Sequence, residues 1–294
     1  MGVALEPRTR DWVRAALPPR HEIHTVTPLR GGWTSRMCRL GIEGPDAAYP
    51  LVLRSFLEPF FVRHAPGLLA REAGILRLLA DTPVPAARLH AVDPDGASAA
   101  HPSLLMSLLP GRPDLAADRS AALARQLVEI HAVANRPRTY QPWADPDRVN
   151  VPDTALWRHA VELIRREPPP WEGRFLHRDF HPGNVLFDGE GDLVTGVVDW
   201  VETSWGPADL DVAHCATATA LLHGPEQGIA FAGHYQAAGG VLGDEHRYWR
   251  LLDALGFAPD AEKVAGPWRD LGRTDLTSDI LTKRLTEYVA AVIG

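Results

Sequence analysis

The chain has 294 residues, 45% of them hydrophobic and 23% charged, and its 37 acidic residues outnumber 30 basic ones for a formal net charge of −7. This size suits a globular protein of one large domain or two lobes, and the negative charge argues against a nucleic-acid-binding protein. The sequence contains no apolar run of about 18 residues and no apolar signal core near its start, so we expect neither membrane insertion nor secretion. Its only cysteines, Cys38 and Cys215, exclude a disulfide scaffold and indicate a reducing cytoplasm.

The first 110 residues predict an antiparallel sheet that carries one main helix. Amphipathic patterns predict a short helix over 7–17 and a longer one over 68–80. Runs rich in β-forming residues lie between and after these helices. We predict them as strands over 21–26, 37–42, 49–56, 88–92 and 103–109.

Beyond Gly111 the pattern becomes mainly helical. Helices are predicted over 120–133 and 154–166, a compact β segment over 175–199, and mostly helix after Asp209. We therefore predict an α+β fold with an N-terminal lobe over 1–110, a hinge at about 106–112 and a C-terminal lobe over 111–294. Residues 1–112 carry 13 basic and 10 acidic side chains, a balance of +3, whereas residues 113–294 carry 17 and 27, a balance of −10.

The most specific chemical signal lies in residues 177–184, which read His-Arg-Asp-Phe-His-Pro-Gly-Asn. The skeleton is H-x-D-x-x-x-x-N, and Asp199 follows fifteen residues later at the end of an apolar run. Phosphoryl transfer needs a carboxylate at the attacking hydroxyl and Mg²⁺ on the nucleotide phosphates. A loop with this spacing can present Asp179 to a hydroxyl, while Asn184 and Asp199 supply the oxygen ligands that Mg²⁺ prefers.

This segment resembles the aminoglycoside phosphotransferase and choline kinase group, which has a protein-kinase-like bilobal fold. The resemblance extends to residues 196–200 and 206–213 and covers roughly residues 10–260. It implies transfer of the γ-phosphoryl group of ATP or GTP to a hydroxyl of a small molecule, such as an aminoglycoside or another antibiotic. It also implies Asp179 as catalytic base, Asn184 and Asp199 as Mg²⁺ ligands, and Asp211 as a brace for the loop.

The same resemblance predicts nucleotide contacts in the N-terminal lobe. Gly31, Gly32 and Ser35 stand where the family has its phosphate-covering loop, and glycine permits close backbone approach. Arg54 stands where the family usually has a phosphate-gripping lysine, and Glu72 on the next helix is its natural ion-pair partner. Lysine occurs only at two other positions, 263 and 283, so any cation needed in the first 260 residues must be arginine.

The linker after the last predicted strand of this lobe resembles the segment whose backbone receives adenine. Ser107 and Leu109 are the candidate contacts there, although an acid is common in the family where Ser107 stands. The predicted partners are therefore ATP as co-substrate, Mg²⁺ and a small hydroxylated acceptor. The acidic balance of the C-terminal lobe favours a cationic acceptor, and a neutral sugar or macrocycle is the next alternative.

Other functions remain open from the residues alone. A nucleotide-binding pseudokinase scaffold is opposed by the intact Asp179, Asn184 and Asp199. A metal-dependent hydrolase would use His177 and His181, but the intervening loop lacks the helical H-E-x-x-H pattern. A protein kinase is disfavoured because only 12 positions separate Asp199 from Asp211 and no A-P-E triplet follows. A kinase of a metabolic sugar or amino alcohol is a further alternative.

Overall fold

The computed structural model describes residues 4–29, 34–189 and 191–294. The chain forms two compact units, one of Met1–Pro110 with Val198–Val201 and the other of Gly111–Val197 with Glu202–Gly294. We call them the N-terminal and C-terminal units. The assignment of nucleotide binding to one and of catalysis and acceptor binding to the other stays a prediction.

The N-terminal unit is built on a five-stranded antiparallel sheet in the described residues. Its elements in chain order are α1 (Pro7–Ala16), β1 (Glu22–Pro28), β2 (Arg36–Glu43), β3 (Ala48–Ser55), α2 (Pro59–Leu79), β4 (Leu89–Asp93) and β5 (Ser103–Ser107). The strand order is β1-β2-β3-β5-β4, so β3 is the central strand and pairs with both β2 and β5.

Side chains of β3 alternate between two faces of the sheet that have different environments. Leu51 and Leu53 point into an apolar core that they share with Val13 of α1 and Leu40 of β2. Burying one such side chain stabilises the fold by about 1.5–3 kcal/mol. Because neighbouring residues of a strand face opposite ways, Arg54 points away from this core.

The C-terminal unit is mainly helical. Its helices are α3 (Ser120–His131), α4 (Ala155–Ile164), α5 (Asp209–His223), α6 (Pro225–Ala237), α7 (His246–Leu255), α8 (Glu262–Asp270) and α9 (Ser278–Ile293). Every residue of α5 from Asp209 to Leu222 is buried, so this helix lies at the centre of the unit. Two short ribbons are formed by β6 (Arg174–Leu176) with β9 (Ser204–Gly206), and by β7 (Val185–Phe187) with β8 (Val194–Val197).

Two sequence-based boundaries differ from the structure. The helix predicted from residue 68 begins at Pro59, whose fixed φ suits the first turn of a helix, and it carries Pro66 inside. No separate strand was predicted at β9, because its three residues are too few to show a periodicity and its partner strand β6 is distant in sequence. The remaining predicted helices and strands lie within a few residues of their observed positions.

Candidate active site

Residues 177–184 form the loop between β6 and β7, which we call the catalytic loop. Its start is held by Asp211, a fully buried residue in the first turn of α5. One Asp211 oxygen accepts the backbone N–H of His177 and the other accepts that of Arg178, both at 2.8 Å. The brace predicted at Asp211 is therefore present.

A strained residue precedes the predicted catalytic carboxylate. Arg178 has a φ of 75°, in the left-handed region that costs a non-glycine residue on the order of 1–2 kcal/mol. Its backbone N–H is held by Asp211, and its guanidinium lies 4.5 Å from the ring centre of Trp143 and donates to the Gln141 carbonyl at 3.1 Å. These contacts fix the turn, and the turn sets the direction of Asp179.

Asp211 is itself part of a buried polar network. His131 Nε2 lies 3.2 Å from Asp211 Oδ2, and His131 Nδ1 lies 2.7 Å from the Tyr235 hydroxyl. Burial alone would raise the pKa of Asp211, but the hydrogen bond and charge of His131 bring the pKa below its ordinary value. His131 is buried and connects Asp211 with Tyr235 in this network.

Asp179 and Asn184 meet across the catalytic loop. The Asn184 amide nitrogen donates to the Asp179 backbone carbonyl at 2.9 Å and to Asp179 Oδ2 at 3.1 Å. The Asp179 backbone N–H donates to His177 Nδ1 at 3.2 Å, so the His177 side chain helps to hold the loop. The Asp179 side chain is 34% exposed, so its carboxylate remains open to a second molecule.

Three histidines surround the Asp179 carboxylate. His214 Nε2 lies 3.3 Å from Asp179 Oδ1 and His181 Nε2 lies 3.9 Å from the same oxygen. Burial would raise the pKa of Asp179, but the hydrogen bond from His214 and the charges of His181, His214 and His177 hold the pKa well below its usual range. Asp179 is therefore a carboxylate at neutral pH.

His214 and its second partner, Asp253, were not predicted from the sequence. His214 lies on α5 three residues after Asp211, a spacing that puts both side chains on one helix face and could have indicated it. Its Nδ1 lies 2.9 Å from Asp253 Oδ1 on α7. Burial would lower the pKa of His214, but the charges of Asp253 and Asp179 raise it to about 9. Asp253 carries no local sequence signal.

His181 has a local structural task. Its Nδ1 accepts the backbone N–H of Gly183 at 3.0 Å and so caps the short 3₁₀ turn Pro182–Asn184. Across the described residues, no group of three or more His, Cys, Asp or Glu side chains is arranged to hold a metal ion.

Arg54 is the centre of a second cluster, within the N-terminal unit. Its guanidinium lies 2.8 Å from Glu72 Oε2 and 3.5 Å from Asp199 Oδ1, and it donates to the Ser35 hydroxyl at 3.0 Å and the Thr34 hydroxyl at 3.4 Å. The predicted Arg54–Glu72 ion pair is thus present, and both side chains are buried. Burial alone would lower the pKa of Arg54, but Glu72 and Asp199 raise it, so the guanidinium stays charged.

The backbone of Asp199, like that of Arg178, is in a strained conformation. Its φ of 65° lies in the left-handed region, which aspartate tolerates better than most side chains. Its side chain is 41% exposed, in contrast to the buried Arg54 and Glu72. A carboxylate held at a fixed angle and open to solvent can bind a cation.

Of the remaining predicted nucleotide-contacting residues, the structure describes some and not others. Gly31 and Gly32 lie outside the described residues. Ser107 ends β5, and its hydroxyl accepts the Arg88 backbone N–H at 2.8 Å. Leu109 follows the strand and is half-buried. The roles of Ser35, Ser107 and Leu109 in nucleotide binding stay predictions.

The family model described as Phosphotransferase enzyme family, APH, matches residues 25–254. The chain belongs to this family and is an enzyme, a small-molecule phosphotransferase of the kinase type. The family predicted from the motif in residues 177–184 is thereby confirmed. No curated protein matches the sequence.

Solved structures of similar fold cover nearly the whole chain. A candidate aminoglycoside phosphotransferase from Ralstonia eutropha has a TM-score of 0.64 at 16% identity, covering 98% of this chain and 99% of its own. A mutant of the aminoglycoside phosphotransferase APH(4)-Ia, in complex with ADP and hygromycin B, has a TM-score of 0.61 at 18% identity, covering 93% and 96%. Macrolide 2'-phosphotransferase MphH from Brachybacterium faecium has a TM-score of 0.56 at 16% identity, covering 94% and 97%. These likenesses confirm the predicted kinase-like fold, with a sheet-based N-terminal part and a helical C-terminal part.

None of the helices in the described part of the chain combines the length and the apolar character needed to cross a membrane.

Proposed function

We propose that this enzyme transfers the γ-phosphoryl group of ATP, or of GTP, to a hydroxyl of a small molecule. The observation that carries the proposal is the pairing of Asp179 with Asn184 in a braced loop. The loop leaves the Asp179 carboxylate ionised, oriented and partly open to solvent. A chain of the Phosphotransferase enzyme family needs such a group at the acceptor hydroxyl.

In the proposed reaction, Asp179 accepts a hydrogen bond from the acceptor hydroxyl and orients its oxygen toward the γ-phosphorus. A bond forms between that oxygen and phosphorus, the bond from phosphorus to the bridging oxygen breaks, and the nucleoside diphosphate leaves with the electron pair. The hydroxyl proton passes to Asp179. Positioning carries most of the rate in this chemistry, because the transition state is loose and needs little help from a strong base.

Mg²⁺ fits the oxygen donors that the chain offers. The amide nitrogen of Asn184 donates to Asp179, which leaves the amide oxygen of Asn184 to bind a metal. Asp199 contributes a carboxylate that is partly exposed to solvent. Hard oxygen ligands of this kind suit Mg²⁺. When bound, the ion would neutralise charge on the nucleotide phosphates. We propose that Arg54, held by Glu72, contributes positive charge to the same phosphates, and that Gly31, Gly32, Ser35, Ser107 and Leu109 complete the nucleotide contacts.

The proposed acceptor is an aminoglycoside or another hydroxylated antibiotic. Structures of similar fold include hygromycin B and macrolide phosphotransferases, and an ethanolamine kinase from Plasmodium vivax supports an amino alcohol as the second candidate. The acidic balance of the C-terminal lobe gives weaker support than the sequence suggested, because several of its acids are buried or paired with arginine, as Asp114 and Asp192 are with Arg119. The buried thiols of Cys38 and Cys215 are consistent with the proposed cytoplasmic location.

The test is a phosphotransfer assay with ATP or GTP, Mg²⁺ and a panel of aminoglycosides, macrolides and amino alcohols, with the product identified by mass spectrometry. We expect one class to gain 80 Da per phosphorylated hydroxyl, the mass of HPO₃, in a reaction that stops when Mg²⁺ is chelated. Asp179→Asn is the matched control and should bind nucleotide but transfer phosphate at least about 100-fold more slowly. Nucleotide binding with no transfer to any acceptor would instead favour the pseudokinase scaffold.

A further inference from the structure

A chain of three charged side chains, two of them buried, ends at the proposed catalytic carboxylate. His214 Nε2 lies 3.3 Å from Asp179 Oδ1, and the other ring nitrogen of His214 lies 2.9 Å from Asp253 Oδ1. The side chains of His214 and Asp253 are each 6% exposed. An imidazole that contacts a carboxylate through each nitrogen donates from both, and only the protonated ring can do so.

The surroundings of His214 exclude water and leave the ion pairs as its polar partners. Its ring packs against Trp143 at 5.1 Å and Phe257 at 5.5 Å between ring centres. Other charged or titratable groups nearby are His181, whose ring centre is 5.9 Å away, Lys263, which interacts with both acids, and Arg178, which interacts with Asp253. The second oxygen of Asp253 is buried with no hydrogen-bond partner among the described residues, so the positive charges of His214, Lys263 and Arg178 offset the burial of this carboxylate.

Each oxygen of Asp179 thereby has one partner from inside the protein, which leaves a further lone pair on each oxygen for the acceptor hydroxyl. Oδ1 faces His214, and Oδ2 accepts from Asn184 at 3.1 Å. Because each of its two oxygens has a partner, the carboxylate of Asp179 cannot rotate freely about the Cβ–Cγ bond. A displacement of about 1 Å at a reacting group can cost roughly 100-fold in rate.

We propose that His214, as an imidazolium clamped by Asp253, is a positioning residue for the phosphotransfer reaction that fixes the carboxylate of Asp179. This inference rests on the proposed role of Asp179. His214 touches no substrate in this scheme. It acts on the reaction through Asp179, and Asp253 acts through His214.

The test compares His214→Gln with a matched control, His246→Gln. His246 has a side chain that is only 12% exposed and also pairs with a carboxylate, with its Nδ1 at 2.8 Å from Asp209 Oδ1, but it does not touch Asp179. We expect His214→Gln to lower kcat per folded molecule about 10–100-fold while the KM for ATP changes less than about twofold. His246→Gln should lower thermal stability with kcat per folded molecule unchanged. A kcat for His214→Gln within threefold of wild type would overturn the proposal.

The pH profile gives a readout that a purely structural role would not move. Because the pKa of His214 is raised to about 9, its charge is present at neutral pH and is lost as the pH rises through that value. We therefore expect the kcat of the wild type to decline above about pH 9 and this alkaline limb to be absent in His214→Gln. An unchanged limb in His214→Gln would count against the proposal.

A third variant keeps the test valid if His214 variants do not fold. Asp253→Asn retains the imidazole but removes one counter-charge, so the alkaline limb should move to lower pH and kcat should fall less than in His214→Gln. In ¹³C-labelled protein, the His214 ring signal should titrate near pH 9 in the wild type and closer to the ordinary value of about 6.5 in Asp253→Asn. If the wild type phosphorylates no acceptor, the proposed function has failed, and the ring titration still decides whether the clamp exists. Titration near 6.5 in the wild type would refute it.

Discussion

Replacing Asp211 by asparagine tests whether one buried carboxylate holds the catalytic loop. In Asp211→Asn, one of the two backbone donors, His177 N–H or Arg178 N–H, faces an amide NH₂ group in place of its 2.8 Å acceptor. A hydrogen bond to a charged group contributes about 1.5–3 kcal/mol, and an unsatisfied buried donor costs a similar amount. We expect a local loss of about 3–5 kcal/mol, since the side chain is fully buried and no solvent replaces the lost acceptor.

Hydrogen exchange at the His177 and Arg178 amides measures this loss where it occurs. A loss of about 3 kcal/mol corresponds to exchange that is faster by roughly 100-fold. The kcat for phosphotransfer should fall about 100-fold as well, because Asp179 follows directly on the released turn. Asp192→Asn is the control, because its carboxylate is 59% exposed and its ion pair with Arg119 should be worth less than about 1 kcal/mol. Exchange and kcat within threefold of wild type in Asp211→Asn would refute the reasoning.

Three further predictions address the reacting carboxylate, a turn and the nucleotide side. Asp179→Asn should lower kcat about 10²–10⁴-fold with nucleotide affinity nearly unchanged, and steady-state activity within a few-fold of wild type would exclude Asp179 from the mechanism. Gly111→Ala should lower the free energy of unfolding by about 1–3 kcal/mol in thermal denaturation, because its φ is 89° and a Cβ would lie 2.6 Å from the Phe187 carbonyl oxygen. Gly189→Ala, with a φ of 60° and open space around it, shows the backbone cost alone, and an equal loss in both variants would contradict the steric argument. Arg54→Ala should raise the KM for ATP about 100-fold and Arg54→Lys about fivefold, since lysine keeps the charge but loses the planar fork, and equal KM values in both would contradict this.

The catalytic loop could be predicted because the residues of its motif lie close together in the sequence. Asp179 and Asn184 are five positions apart, and the structure joins their side chains directly. Arg54 and Glu72 were predictable as a pair because a charge in an apolar strand needs a partner, and the next helix offers one.

The partners of His214 could not be predicted in the same way. The contact between His214 and Asp253 joins α5 to α7 across 39 positions, and the contact with Asp179 spans a similar distance in sequence. Neither helix carries a motif for it, and the charge of a buried histidine depends on groups that only tertiary packing brings together. The same reason explains why the three-residue strand β9 was missed, since its pairing with β6 is long-range.

The arginine at position 54 also decides which chemical probes can report on the N-terminal unit. A guanidinium stays protonated at any pH at which proteins are folded, so Arg54 is not a nucleophile toward acylating reagents. The only lysines of the chain are Lys263 and Lys283, both in the C-terminal unit. Amine-reactive ATP analogues, which label kinases through a lysine beside the phosphates, should therefore leave Arg54 unmodified. Labelling of a side-chain amine by such reagents would have to occur at Lys263 or Lys283, in the C-terminal unit.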